Sequence, residues 1–148
     1  MNPHSILKDL TREPAPTLGL KEASRAKALS ILDATLADEF VLYVKARNFH
    51  WNVSGPRFSE LHRFFEEQYG ALSLTVDETA ERSRALGGRA LGSMKELLGK
   101  ARLTESGGRG LKEDAMLAEL LRDHEALARS LRVDLEECGR LGDQGTMD

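Results

Sequence analysis

The sequence predicts an all-α protein built as a bundle of long antiparallel helices. Three observations predict it. Three stripes of apolar residues recur at steps of three and four, the breaks between them are made of glycine and proline, and no segment reads as a strand.

Residues 1–20, with Pro3, Pro14 and Pro16, read as an arm outside the core, so the domain is expected to occupy residues 21–148. Leu29, Leu32, Leu36, Phe40 and Tyr43 or Val44 then line one face of a first helix running to about Phe49, and Asn52 to Pro56 breaks it. Pro56 suits the first turn of a second helix, with Ser54 as a plausible cap. Phe58, Leu61, Phe65, Tyr69, Leu72, Val76 and Ala80 continue that helix to Gly87-Gly88, where the left-handed conformation can close it. Gly92 to Leu98 reads as a short helix between glycine-rich connections, the second being SGGRG at 106–110. Leu117, Leu120, His124, Leu127, Leu131, Leu135 and Cys138 form the third long stripe, ending near Gly139 or Gly142. Helices of this length usually close a core in fours, so the bundle is expected to be one helix short. The final GDQGTMD carries Thr146 as an N-cap with Asp148 in the first turn, a helix start at the end of the chain.

A length of 148 residues fits one domain, and 41% hydrophobic with 30% charged residues is ordinary for a soluble protein. No run of eighteen apolar residues and no signal-peptide pattern is present, so the cytoplasm is the expected compartment and no membrane partner is expected. Cys138 is the single cysteine, which excludes an intramolecular disulfide and a thiolate cluster; a metal would be held by nitrogen and oxygen. A formal charge of −3 leaves DNA binding to a local basic patch. In the arm Lys8 and Arg12 are matched by Asp9 and Glu13, so DNA binding there is expected to be weak or absent.

The stretch FHWNVSGPRFSELHRFFEEQY places His50 and His62 on either side of the first hairpin, which can bring two imidazoles together. Imidazole suits iron, zinc, copper or nickel, and added carboxylates shift the preference toward iron. On the second helix Asp77 and Glu81 are four apart and project from one face about 6 Å apart, a spacing that can grip a cation. The bland alternatives stay open here: His50 as a helix C-cap, His62 as a surface residue and the acids as a solvated face. His62 and Asp77 are fifteen residues apart on one helix, about 22 Å at 1.5 Å per residue, so they cannot bind one ion within one chain. Either the pairs are unrelated or a two-fold neighbour completes the site.

The segment HWNVSGPRFSELHRFFEEQY followed by DETAERSRALGG resembles the signature of the Dps proteins (DNA protection during starvation), ferritin-like mini-ferritins that oxidise and store iron. The resemblance runs from about Leu18 through LADEFVLYVKARNFHWNV to RDHEALARSLR and GDQGTMD. It implies a ferritin-like four-helix bundle with a short helix in the middle connection, whose last helix this chain lacks, making it C-terminally truncated relative to the family. It also implies a ferroxidase site in which His50 and His62 of one subunit meet Asp77 and Glu81 of its neighbour, Glu81 bridging the irons and Asp77 a terminal ligand. Trp51 is similar to the tryptophan beside that site, suspected of taking up oxidising equivalents, though a hairpin anchor reads equally well.

By the same resemblance the chain is expected to form a hollow homododecamer in the cytoplasm, or on the bacterial nucleoid if DNA is bound. Asp143 and Asp148 resemble pore aspartates through which Fe(II) enters, and capping roles are compatible with the same positions. The implied chemistry is Fe(II) oxidation, preferably by hydrogen peroxide, then storage as ferric mineral under oxidative stress and starvation, which protects DNA. Zinc is a substitute metal. Two other readings differ in class: a DNA-compacting protein with a vestigial metal site, and a zinc or copper buffer. Glu66, four after His62, reads more readily as solvated than as a neighbour of the site, and His124 as a core or capping histidine than as a ligand.

Overall fold

A computed structural model describes residues 16–107 and 109–148. Most of the arm therefore lies outside the described residues, and with it the expectation about DNA. Five helices follow one another: α1 (Glu22–Asn52), α2 (Phe58–Ala85), α3 (Met94–Lys100), α4 (Glu113–Leu141) and the single turn α5 (Gln144–Met147). No strand occurs among the described residues, and no helix there is long and apolar enough to cross a membrane.

α1 is the central element. It packs against α2, α3 and α4, so the run Thr35, Leu36, Ala37, Asp38 and Glu39 is buried on every side rather than along one stripe. The largest cluster joins Leu42, Ala46 and Phe49 of α1 to Leu61, Phe65 and Leu72 of α2 and Met116, Leu120 and Leu127 of α4. Phe49 and Phe65 meet edge to face at 5.8 Å, a geometry worth about 1 kcal/mol beyond the area it buries.

Charged residues inside this core align the helices. Asp38 accepts hydrogen bonds from the Arg102 and Leu103 amides at 2.6 and 2.9 Å and from the Arg102 guanidinium at 2.7 Å, tying the α3–α4 connection to α1. Lys45, 2% exposed, pairs with Asp123 of α4 and donates to the Thr104 carbonyl at 2.9 Å. Removing one partner would strand a buried charge, which makes these contacts specific about register.

The helix ends differ from expectation in three places. Neither Ser54 nor Pro56 opens α2, which starts at Phe58 after an uncapped Arg57. Pro56 sits in the turn following Gly55 (φ 130°), and the Arg57 backbone and guanidinium are held by Glu113 at 2.9 and 3.1 Å, so a tertiary tie replaces the local cap. Thr146 is no N-cap either; it lies inside α5, where its hydroxyl donates to Asp143 at 2.5 Å and accepts from Arg82 at 2.9 Å. The glycine stops hold: Gly87 and Gly142 are left-handed, at φ 78° and 77°, where α2 and α4 end. α1 runs three residues past Phe49, carrying His50 and Trp51 inside the helix. α3 opens with a reciprocal Ser93–Glu96 capping box.

Leu131 and Leu135 depart from the expected buried stripe. Both are exposed, and with Ile31, Thr75 and Met147 they line a cavity of about 460 Å³ between α1, α2, α4 and α5. The helices leave one side of the core open there.

Candidate metal centre

His50 is placed by the last turn of α1 and His62 by the second turn of α2, so the short hairpin sets one ring on the other. The centroids are 3.7 Å apart at 23°. The pair is locked by reciprocal bonds: His50 Nδ1 lies 2.8 Å from the His62 carbonyl, and His62 Nδ1 lies 2.9 Å from the His50 carbonyl. A carbonyl oxygen only accepts, so in the neutral ring each Nδ1 carries the proton and each Nε2 keeps its lone pair. Both imidazoles are thereby fixed in the tautomer that can ligate a metal through Nε2.

Aromatic rings hold this arrangement. Phe58 stacks on the outer face of His62 at 5.0 Å, and Tyr69 meets His50 edge-on at 5.3 Å. The Arg47 guanidinium lies over the rings of Tyr69 and Trp51 at 4.7 and 5.1 Å, and it donates to the Tyr43 hydroxyl at 2.6 Å. Trp51 is 65% exposed, so it is not a buried hairpin anchor within this chain. Arg47, Phe58 and Tyr69 were not singled out for this site from the sequence. The signal was helical spacing, since Phe58 is one turn before His62 and Tyr69 two turns after it.

Asp77 and Glu81 stand on the same helix as His62, and both are exposed. The unbroken helix Phe58–Ala85 carries the fifteen residues between His62 and Asp77, keeping histidines and acids about 22 Å apart. In accord with that distance, among the described residues no three His, Cys, Asp or Glu side chains gather around one point. Histidines are thus brought together with each other, acids with each other, and the two pairs are not joined within the chain.

The remaining candidates have other surroundings. Glu66 is exposed on α2. His124 is half-buried, and burial lowers its pKa against the pull of Asp123. Asp143 is 3% exposed and fully engaged, one oxygen by Arg82 at 2.6 Å and the other by Thr146 at 2.5 Å. Asp148 is exposed. Glu39 was not weighed from the sequence: it is 5% exposed on α1, its Oε2 has no hydrogen-bond partner among the described residues, and burial lifts its carboxyl to about 7.

The chain matches the ferritin-like domain over residues 29–148. The chain is 40% identical to an uncharacterized low temperature-induced protein of Nostoc sp. over 91% of this chain and 76% of that one. It is 34% identical to DNA protection during starvation protein 2 of Bacillus anthracis, over 82% of this chain and 83% of that one. The crystal structure of a Dps protein from Vibrio cholerae O1, described as a member of the ferritin-like diiron-carboxylate superfamily, superposes with a TM-score of 0.85 at 32% identity, covering 91% of this chain and 84% of that one. The chain belongs to the Dps family of ferritin-like proteins.

Proposed function

We propose that this chain is a ferroxidase subunit that takes Fe(II) as its substrate at a site completed by a second copy, His50 and His62 coming from one chain and Asp77 and Glu81 from the other. The observation that carries this reading is the locked imidazole pair, whose Nε2 lone pairs are free while its complementary carboxylates lie 22 Å or so away along a rigid helix. Two nitrogen and two carboxylate donors suit iron, and zinc less distinctively.

In this reading the protein does four things. The reciprocal carbonyl bonds hold the imidazoles in the ligating tautomer. Asp77 and Glu81 supply the negative charge that favours the ferric product over the ferrous substrate. Phe58 and Tyr69 shield the ring pair and fix its orientation, and Trp51, next after His50 on α1, is open to solvent. The balance is simple: two Fe(II) each give up one electron, and hydrogen peroxide with two protons takes both to become two waters, so no hydroxyl radical is released. Ferric mineral would then collect inside a hollow assembly, a dodecamer by the family pattern, with Asp148 freer than Asp143 to face incoming Fe(II). Protection of DNA follows from removing Fe(II) and peroxide together.

Anaerobic Fe(II) titration followed by peroxide tests it. Ferric absorbance should rise in proportion to added iron and should vanish in an Asp77→Ala, Glu81→Ala double variant. A double variant as fast as the parent would sink the assignment.

A further inference from the structure

We infer that Gly70 is the point at which α2 crosses the α2 of a second copy of this chain, and that this crossing sets the register between the two half-sites; the inference rests on the shared-site reading above.

Gly70 has no evident task within its own chain. It is not among the glycines with positive φ, and a Cβ added there would meet nothing within 4 Å. A glycine inside a helix costs about 1 kcal/mol relative to alanine, and here no turn or intrachain contact offsets it. Its position on the helix is specific. Gly70 lies eight residues after His62, seven before Asp77 and eleven before Glu81, spacings that keep all four on one face.

The position along the helix is equally specific. When a two-fold axis relates antiparallel copies of one helix, facing residues are equidistant from the residue on the axis. The midpoint of His62 and Asp77 falls between positions 69 and 70, and that of His62 and Glu81 between 71 and 72. The axis required by the metal ligands therefore passes beside the one residue of that face with no side chain. Helix axes approach as closely as the side chains at their contact allow, so glycine permits the tightest crossing.

Charge supports a second copy as the occupant. Arg63 stands seven residues before Gly70 and Asp77 seven after it, so the crossing sets guanidinium against carboxylate twice. Leu74, one turn after Gly70, is 69% exposed and uncovered in its own chain.

Cysteine cross-linking reads the register directly, since a disulfide needs Cβ atoms roughly 4 Å apart. Mild oxidation of Gly70→Cys, without iron, should yield a disulfide-linked dimer; the native Cys138 is buried. Ser59→Cys, eleven residues earlier on the same face, should yield none, because its two copies would stand about 33 Å apart. A monomeric Gly70→Cys, or a Ser59→Cys that links as fully, would overturn the register. A second variant, Gly70→Gln, favours the helix but fills the crossing. It should stay fully helical, fall to lower mass in solution and lose at least about tenfold in Fe(II) oxidation. If it assembled and oxidised iron like the parent, the crossing would be wrong and the ferroxidase reading would stand. If Gly70→Cys cross-linked while the parent oxidised no iron, the reverse would hold.

Discussion

The two ends of α2 carry the same proposed chemistry in opposite structural states. At the His62 end the ligands are stacked, hydrogen-bonded to backbone and walled by Phe58 and Tyr69. At the other end Asp77 and Glu81 stand in solvent on a bare helix face. An imidazole must be oriented and held in one tautomer to ligate, and that takes partners from two elements, α1 and α2. A carboxylate has several equivalent lone pairs and needs only to be carried to the right place by a stiff helix. Preorganisation is concentrated where the donor is directional.

The difference can be broken first by activity. His50→Ala and the Asp77→Ala, Glu81→Ala pair should each cut peroxide-driven Fe(II) oxidation at least about tenfold, as measured by ferric absorbance. Stability should then separate them. His50→Ala removes the hydrogen bond from its own Nδ1 and the ring contacts with His62 and Tyr69 and should cost about 2 kcal/mol in urea unfolding, whereas exposed acids should cost within about 0.5 kcal/mol. Equal losses from the two ends would contradict the contrast.

Two neighbours of the acid end sharpen it further. Arg82, on the turn after Thr79, holds the buried Asp143; Arg82→Met strands that carboxylate and should cost about 2 kcal/mol, because the guanidinium is itself partly exposed. Glu39 differs from Asp77 in being buried. Desolvation is the main cause lifting its carboxyl from 4.5 to about 7, with Asp38 and Glu78 adding to it and the Thr79 hydroxyl opposing. Between those values the folded chain keeps a proton that the unfolded chain has released, so stability falls as pH rises from about 4.5 through about 7. Glu39→Gln should therefore stabilise the chain at pH 8, by on the order of 1–2 kcal/mol, and leave it unchanged near pH 4 in thermal melts. A gain of the same size at both pH values would show that the Glu39 charge is not the cause.

Much of the fold was legible because apolar periodicity and glycine stops are local signals. The stripe Phe58 to Ala80 and the stop at Gly87 became α2 and its left-handed end. Buried charges were illegible: no local pattern marks Asp38, Lys45 or Asp123 as core residues, because their partners are 64 and 78 residues away. The start of α2 was misread for the same reason, since Glu113 of α4 holds Arg57 and no local cap is needed. Leu131 and Leu135 showed the reverse error, apolar at helical spacing yet facing an open cavity. For the candidate site, residue types and the separation of its halves were readable from spacing on one helix. The stacking of His50 on His62, their exchanged carbonyl bonds and the role of Tyr69 needed the angle between two helices.

Mixing two inactive variants tests the shared site most directly. One chain carries His50→Ala and His62→Ala, the other Asp77→Ala and Glu81→Ala, and the two are denatured together in equal amounts and refolded. If each site draws histidines from one chain and acids from its two-fold neighbour, half of the pairs are mixed and each mixed pair regains one of its two sites, so about a quarter of parental Fe(II) oxidation returns. A site contained within one chain predicts that nothing returns. A mixture as inactive as either variant alone, in protein shown by mass to have co-assembled, would contradict the account.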